Sequence, residues 1–451
     1  MRRVYVTLVL VAVCMVVSGC GSPENEEHPN IILILTNDQD VESISHMPKL
    51  QSLLVEQGMT FENAFVTNPL CCPSRATILR GQYSHNHGVL TNQPPIGGFE
   101  KFRDSGSEKS TVATWLHSAN YRTVYIGKYL NGKPRGYEAP GWDEFSVSGY
   151  AKTDVYSTDW FADEASGFIK RMKGEREPFF MHLSTKTPHK PAIPAPRHEN
   201  AFPGIRAPRP PSFNEKDVSD KPEWIRERPS FSPETIAEID ELHRKRLQSL
   251  LAVDEMIGRL ISDLRAIGEL DNTYIFFSSD HGWSQGEHRR NVGKGAAYEE
   301  DIRVPLIVRG PGVPAGQTRE HLVLNNDFAP TFADLAGVPA PEFVDGHSLT
   351  PLLTDDPPSA TDWRSAFLVE GYASEKAVHR PPYRAVRTTD RLYVEYDTGE
   401  RELYDMRADP YQLESQHETA DPEFIAHLEE QLDELLDCAG ESCRTAEGFV
   451  E

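Results

Sequence analysis

The sequence predicts an α/β protein. A mostly parallel central sheet flanked by helices is followed by a smaller C-terminal α+β subdomain with an antiparallel sheet. Three features carry this reading: short unbroken apolar runs, helical periodicity between them, and a change of character from about Thr361. An apolar run without alternation marks a strand buried on both faces, as strands of parallel sheets are. Alternation of such strands with helices builds the α/β layer architecture.

Residues 30–36 (Asn-Ile-Ile-Leu-Ile-Leu-Thr) form the first run, and 121–126, 179–184, 274–279 and 304–308 read in the same way. Residues 48–56 and 110–118 read as helices. The clearest helix begins at Ser232-Pro233, where Ser caps and Pro presets the first turn. Its apolar stripe runs through Ile236, Ile239, Leu247, Leu250, Leu251, Val253, Ile257, Leu260, Ile261 and Leu264, and is expected to face the core. Residues 188–229 are too rich in proline for regular helix or central strand. They are expected to form an ordered excursion over the rim of the site, with a loose linker as the alternative. Residues 385–388, 391–396 and 402–405 read as antiparallel strands, with a turn at Asp397-Thr398-Gly399, and 422–437 as a helix. The boundaries expected are 29–360 for the catalytic domain and 361–451 for the C-terminal subdomain.

With 451 residues the chain has room for two or three domains at ~150 residues each. A net charge of −23 excludes a nucleic-acid binder, because no basic excess exists to neutralise phosphates. Met1-Arg2-Arg3 followed by the apolar residues 4–17 has the form of a signal segment too short to span a bilayer well. Val17-Ser18-Gly19-Cys20 resembles a bacterial lipoprotein box. Residues 1–20 are therefore expected to be a lipoprotein signal with Cys20 as lipid acceptor, 21–28 a tether, and the protein exported and lipid-anchored to the bacterial cell envelope or surface. Cleavage of a plain secretory signal near Gly19 is the alternative. Cys438 and Cys443 close a small loop, and an exported compartment permits a disulfide there; two free thiols are the other reading.

The residues that carry chemistry follow the predicted strands, where open α/β sheets bind their ligands. Asn37-Asp38-Gln39-Asp40 follows the first, Lys128 the second, His189 the third and Asp280-His281-Gly282 the fourth. Asn37, Asp38, Asp280 and His281 offer mainly oxygen, which suits one hard divalent cation such as Ca²⁺; the imidazole leaves room for Mg²⁺ or Mn²⁺. Ahead of a helical stretch stands Cys71-Cys72-Pro73-Ser74-Arg75. Pro73 is tolerated in a first helical turn, so Cys71 is expected just before the first helical N–H groups, where the dipole favours an anion. Arg75 lies one turn on, able to reach back with its fork. Taken alone, Cys71 and Cys72 would read as buried thiols.

That box, with Gly81-Gln82-Tyr83-Ser84-His85-Asn86-His87, Gly127-Lys128-Tyr129-Leu130-Asn131, Thr187-Pro188-His189-Lys190-Pro191 and Ser278-Ser279-Asp280-His281-Gly282, resembles the type I, formylglycine-dependent sulfatases of the alkaline-phosphatase-like superfamily. The likeness spans nearly the whole chain after Pro29 and is narrowest to N-acetylglucosamine-6-sulfatases and heparan endosulfatases. The resemblance implies that a formylglycine-generating enzyme oxidises Cys71 to an aldehyde whose hydrate is the nucleophile. It also implies that Asp38, Asp280, His281 and the modified Cys71 ligate the metal, with Asn37 in the remaining place. Arg75 would hold the diol, Lys128, His189 and Lys294 would bind sulfate, and His189 would protonate the leaving alcohol. Two positions depart from the family. Asn37 stands where many members have Asp, and Leu130 where many have a His acting as base. His85 or His87 is the expected replacement, with structural capping as the other reading of His85 and with His87 also expected to touch substrate. The implied function is removal of sulfate from a sulfated sugar, glucosamine 6-O-sulfate of glycosaminoglycan type by proximity. A phosphonate or phosphate ester hydrolase and a non-catalytic glycan-binding lipoprotein are the rivals.

Overall fold

A computed structural model describes residues 28–147, 155–373 and 380–448. The signal segment, Cys20 and all of the tether except His28 lie outside the described residues. Among those described, no helix is long and apolar enough to cross a membrane.

The central sheet has eight strands in the order Glu144–Ser146, Arg122–Gly127, Phe179–Pro188, Asn30–Asn37, Thr273–Ser279, Leu306–Arg309, Met59–Phe61, Gln317–Arg319. The first five are mutually parallel. Asn30–Asn37 lies between two parallel neighbours and is buried at every position, as its unbroken apolar run requires. Strand alternation sorts that run between two cores. Ile32 and Ile34 join Met181 and Phe277 beneath the helices Ser157–Arg171 and Pro233–Ile267. Ile31, Leu33 and Leu35 face the opposite way, with Phe180, Phe276 and Phe332.

The 304–308 run was expected to be parallel; the strand Leu306–Arg309 is antiparallel to both neighbours. The intervening residues 280–305 stay at the carboxyl end of the sheet to build the site, so the next strand must run back down. The helix expected over 48–56 is an α turn, Pro48–Leu50, that widens into a π turn over Gln51–Val55. The helix expected over 110–118 is Val112–Ser118, with Thr111 as its cap. Ser157–Arg171 was not foreseen; its amphipathic pattern was legible, but it follows a stretch with no strand signal.

The C-terminal sheet has four antiparallel strands, Ala366–Gly371, Tyr383–Thr388, Arg391–Tyr396 and Arg401–Asp405. The first, with only Ala366 to Val369 as its apolar run, was not foreseen. The helix Pro422–Asp437 begins where expected, with the Asp421 side chain accepting from the Glu423 N–H. Cys438 and Cys443 are joined in a disulfide. The excursion 188–229 is ordered and carries a short helix, Glu223–Arg226. Its Lys221 donates to the Leu413 carbonyl at 2.7 Å, and its Glu215 meets His288 at 2.7 Å.

Arg364 pins the C-terminal part to the main sheet's helices. Its buried guanidinium holds Asp327 through two bonds of 2.7 and 2.8 Å and Glu447 at 2.8 Å. Removing one partner of such a group strands the others without counter-charge, at a cost of about 3–5 kcal/mol. Arg364→Met is therefore expected to lower the urea midpoint by that equivalent, with tertiary circular dichroism as the readout. A change below ~1 kcal/mol would show that the network does not hold these parts together.

Candidate active site

Four parallel strands deliver their last residues to one edge, and the helix Cys71–Arg80 points its N-terminus at the same place. Cys71 is the first residue of that helix rather than the one before it, with Leu70 as cap. Its Sγ lies 3.1 Å from Lys294 Nζ, 3.4 Å from His281 Nε2, 3.6 Å from Asn37 Oδ1 and 4.0 Å from Asp38 Oδ1. Lys128 Nζ donates to Asn37 Oδ1 at 2.9 Å and stands 3.9 Å from Asp280. Lys294 donates to Asp38. His189 Nε2 is 3.8 Å from Asp38 Oδ2, and its side chain is 41 % exposed while Asp38 is buried. The structure thus brings together Asn37, Asp38, Cys71, Arg75, Lys128, His189, Asp280, His281 and Lys294.

The local backbone explains how. Gly127 is extended past Ser184 so closely that a Cβ would lie 1.8 Å from its carbonyl oxygen. Only glycine permits this approach, and the Lys128 N–H then bonds the same carbonyl at 2.8 Å. Asp38 has a φ of 68°, a left-handed turn that lets its N–H donate to Asp280 Oδ1 at 3.0 Å. Ser74 donates to the Asp280 carbonyl and accepts from Asn325 at 2.9 Å, which ties the Cys box to the strand Thr273–Ser279.

Charge is balanced in burial. Arg75 Nε holds Asp280 at 2.9 Å, and Nη1 donates to the Lys128 carbonyl at 2.8 Å and to Ser184. The two-pronged grip on Cys71 foreseen for this guanidinium is not formed: two of its nitrogens position protein groups, and Nη2 alone has no partner among the described residues. Burial would raise the Asp38 carboxyl, but Lys294, His281 and His189 outweigh it and hold it at about 2. Burial would likewise raise the Cys71 thiol, yet Lys128 and Lys294 bring it down to about 5. At Cys72 burial outweighs the Asn131 backbone, Lys128 and Arg75, and pushes the thiol up to about 12. The two adjacent cysteines are electrostatically opposite.

The donor set fits a hard cation. Asp38, Cys71 and His281 present ligand atoms all within 4.8 Å of one another. Asp38 Oδ2 is buried without a hydrogen-bond partner among the described residues, an arrangement that costs stability unless a cation or donor faces it. His281 Nδ1 is 2.9 Å from the Gly282 carbonyl, which can only accept, so Nδ1 carries the proton and Nε2 is turned to the site.

Two expectations fail. His87 is buried, with Nδ1 accepting the Val89 N–H at 3.0 Å and Nε2 at 3.0 Å from Thr77 Oγ1. It is a neutral core imidazole, held at about 3 by burial and by Arg80, and it touches neither Cys71 nor the cleft. His85 lies between Glu370 and the Cys438 carbonyl, both at 3.1 Å, and fastens the C-terminal sheet. Neither serves as base near Cys71. Leu130 is packed against Cys72, Ala76, Leu79 and Phe99, so that position has become core. Arg246 was missed. It projects from the buried stripe of the long helix, donates to the Asp38 carbonyl and to Asp40 at 3.1 Å, and lies 4.5 Å over the Trp283 ring. An arginine on an apolar helix face was the signal available.

Residues 29–338 match the family described as Sulfatase, and residues 286–437 match the one described as N-sulphoglucosamine sulphohydrolase, C-terminal. The N-acetylglucosamine-6-sulfatase of Capra hircus is 35 % identical over 497 aligned positions, covering 97 % of this chain and 88 % of that one. The N-acetylglucosamine-6-O-sulfatase of Bacteroides thetaiotaomicron is 30 % identical, covering 90 % and 86 %. A solved structure of a protein in complex with its substrate D-glucosamine-2-N,6-O-disulfate superposes with a TM-score of 0.80 at 28 % identity, covering 93 % and 98 %. A phosphonate monoester hydrolase from Silicibacter pomeroyi has a TM-score of 0.71 at 22 % identity, over 90 % and 94 %, and shares the fold.

In the unmodified chain Cys71 is expected to be a thiolate at neutral pH. Its folded pKa is below the unfolded ~8.5, so the stabilisation it contributes is full above that value and is lost as pH falls through about 5. The difference in thiolate absorbance near 240 nm between the wild type and Cys71→Ser, in metal-free buffer, should rise through about pH 5. A rise near the ordinary thiol value would contradict the role given to Lys128 and Lys294. His87→Ala should lower stability by ~1–3 kcal/mol by leaving the Val89 N–H unpaired, with turnover per folded molecule unchanged.

Proposed function

The chain belongs to the sulfatase family, and from that premise we propose that it hydrolyses the 6-O-sulfate ester of a glucosamine residue in a glycosaminoglycan-type sugar. The observation that carries this reading is the convergence on Cys71 of Lys294, His281, Asn37 and Asp38 within 4.0 Å. The relatives named for N-acetylglucosamine 6-sulfate and the neighbour bound to a glucosamine disulfate support the choice of sugar. Formylglycine in place of Cys71, made by a generating enzyme, and a divalent cation, Ca²⁺ by its oxygen-rich donors, supply a hydrated aldehyde oxygen of lowered pKa and Lewis-acid stabilisation.

The rest is done by the chain's own side chains. Asn37, Asp38, Asp280 and His281 hold the cation, and Asn37 lowers the negative charge of the set by one relative to an Asp. Lys128 and Lys294 flank Cys71 and hold the sulfate oxygens, where the charge of the transition state spreads. Arg75 orients Asp280. His189 Nδ1 is 2.6 Å from the Lys190 carbonyl and so carries a fixed proton. The proton it passes to the leaving alcohol is therefore on Nε2, the nitrogen turned toward Asp38. Its partial exposure puts the leaving sugar on the solvent side. Export and lipid anchoring through Cys20 complete the proposal; the support is the apolar segment 4–17 and the small residues before Cys20.

Mass spectrometry of the tryptic peptide 50–75, from protein made in a host with a generating enzyme, should show formylglycine at Cys71. The same protein should hydrolyse glucosamine 6-sulfate and an aryl sulfate, and Cys71→Ala should lose at least about 10³-fold in kcat, the scale of losing an activated nucleophile. Faster turnover of an aryl phosphonate than of either sulfate would sink the assignment in favour of phosphonate ester hydrolysis. An unmodified thiol with no turnover, in a host whose other sulfatases are modified, would favour a glycan-binding role.

A further inference from the structure

Arg246 is only 1 % exposed and reaches the site from the long helix Pro233–Ile267. Its guanidinium serves three segments at once. Nη2 donates to the Asp38 carbonyl and, at 3.1 Å, to Asp40 Oδ2. Nη1 donates to the Pro188 carbonyl at 3.4 Å. Pro188 is the register partner of Asn37 in the sheet and directly precedes His189. Arg246 Cζ lies 4.5 Å over the Trp283 ring, and Lys294 Nζ lies 6.0 Å over the same ring.

Stability alone does not account for this residue. Among the described residues its one ion-pair partner is Asp40, and its Nε is buried with no hydrogen-bond partner. A buried ion pair of this kind is often no better than apolar packing, and the flanking stripe residues Leu247 and Leu250 are apolar and buried. The hydrogen bonds of Arg246 point to another use. Two end on backbone carbonyls in different parts of the site. Asp38 belongs to the set of cation-type donors, and Pro188 leads into His189. The Asp38 backbone has a φ of 68°, which an L-residue keeps only when its surroundings fix it. A planar fork can hold two such acceptors in a set relation; an ammonium on a flexible stem cannot.

We propose that Arg246 is a positioning residue: one rigid fork sets the Asp38 turn for the cation and the His189 segment for the leaving alcohol. This rests on the sulfatase reading of the site and deepens it, because cation binding and protonation of the leaving group then depend on one side chain of the long helix.

The test compares the wild type with Arg246→Met and Arg246→Lys, matched for folded fraction by near-ultraviolet circular dichroism. Calorimetry with calcium chloride, then manganese chloride, on the metal-free unmodified chain reads the cation side. Both variants should bind about tenfold more weakly, the lower end of what a partner behind a metal ligand contributes. The formylglycine-bearing enzyme at saturating Ca²⁺ reads the His189 side. A nitrophenyl leaving group needs little help from an acid, whereas a sugar alcohol needs the ~10²–10⁴-fold that a positioned acid supplies. The kcat on glucosamine 6-sulfate should therefore fall about tenfold, while that on nitrophenyl sulfate stays within about twofold of the wild type. If Arg246→Met does not fold, Arg246→Lys decides, since it keeps a charge opposite Asp40. An unchanged dissociation constant in Arg246→Lys overturns the inference, as do equal losses on the two sulfates. A wild type that binds neither cation overturns it as well. If the wild type binds a cation but hydrolyses no sulfate ester, the sulfatase reading falls and calorimetry alone decides. Weaker binding by Arg246→Lys then supports the positioning role, and equal binding overturns it.

Discussion

Two buried carboxylates side by side are the constraint on which the rest of the site depends. Asp38 and Asp280 end neighbouring parallel strands, and the N–H of one binds the carboxylate of the other at 3.0 Å. Burying like charges this closely is unfavourable unless cations surround them. Arg75, Lys128 and Lys294 do so from three separate segments. The helix that carries Cys71 supplies Arg75, so the position of Cys71 and the counter-charge of Asp280 are set by one rigid element. A divalent cation held by the Asp38 and His281 side chains would complete this balance.

That constraint propagates outward. Asp38 adopts a left-handed backbone conformation that an L-residue rarely takes, and the turn is held by Arg246 through the Asp38 carbonyl and the Asp40 carboxylate. Arg246 is in turn sandwiched by Trp283, three residues beyond Asp280. The long helix is therefore a brace as well as a cover for the sheet. Its length lets the same element brace the turn near its middle while its later turns cover the sheet.

The strand runs and the residues just past them were legible because parallel packing demands continuous apolar sequence and puts every carboxyl end on one edge. That argument brought Asn37, Asp38, Lys128, His189, Asp280 and His281 together from segments far apart in sequence. It did not extend to direction: the strand Leu306–Arg309 looks like its parallel neighbours in composition and runs the other way, because direction depends on where the preceding loop stays. The histidines of the 83–87 segment misled for a related reason. Proximity to Cys71 in sequence suggested proximity in space, but a helix carries the chain away at ~1.5 Å per residue, and both rings are occupied by structural partners. Arg75 stands in the neighbourhood expected, and its contacts with Asp280, the Lys128 carbonyl and Ser184 were not foreseen, since sequence cannot say which of several nearby acceptors a guanidinium meets.

The overall charge gives the site its working regime. A net charge of −23 repels a sulfated glycan at a distance, and in the proposed reading Lys128 and Lys294 attract it only on contact. Over the ~8 Å at which physiological salt screens exposed charges, the acidic surface contributes little steering toward the cleft. Recognition must then come from short-range groups that are partly buried and poorly screened, which is what Lys128 and Lys294 are. Both ammonium groups are also engaged with the ligand-type residues Asn37 and Asp38. An arriving sulfate thus competes for donors already serving the site, and a group that offers fewer or weaker acceptor oxygens gains less from displacing them. On the proposed reading, selectivity for a tetrahedral oxyanion would rest on the same buried charge balance that holds the two carboxylates together.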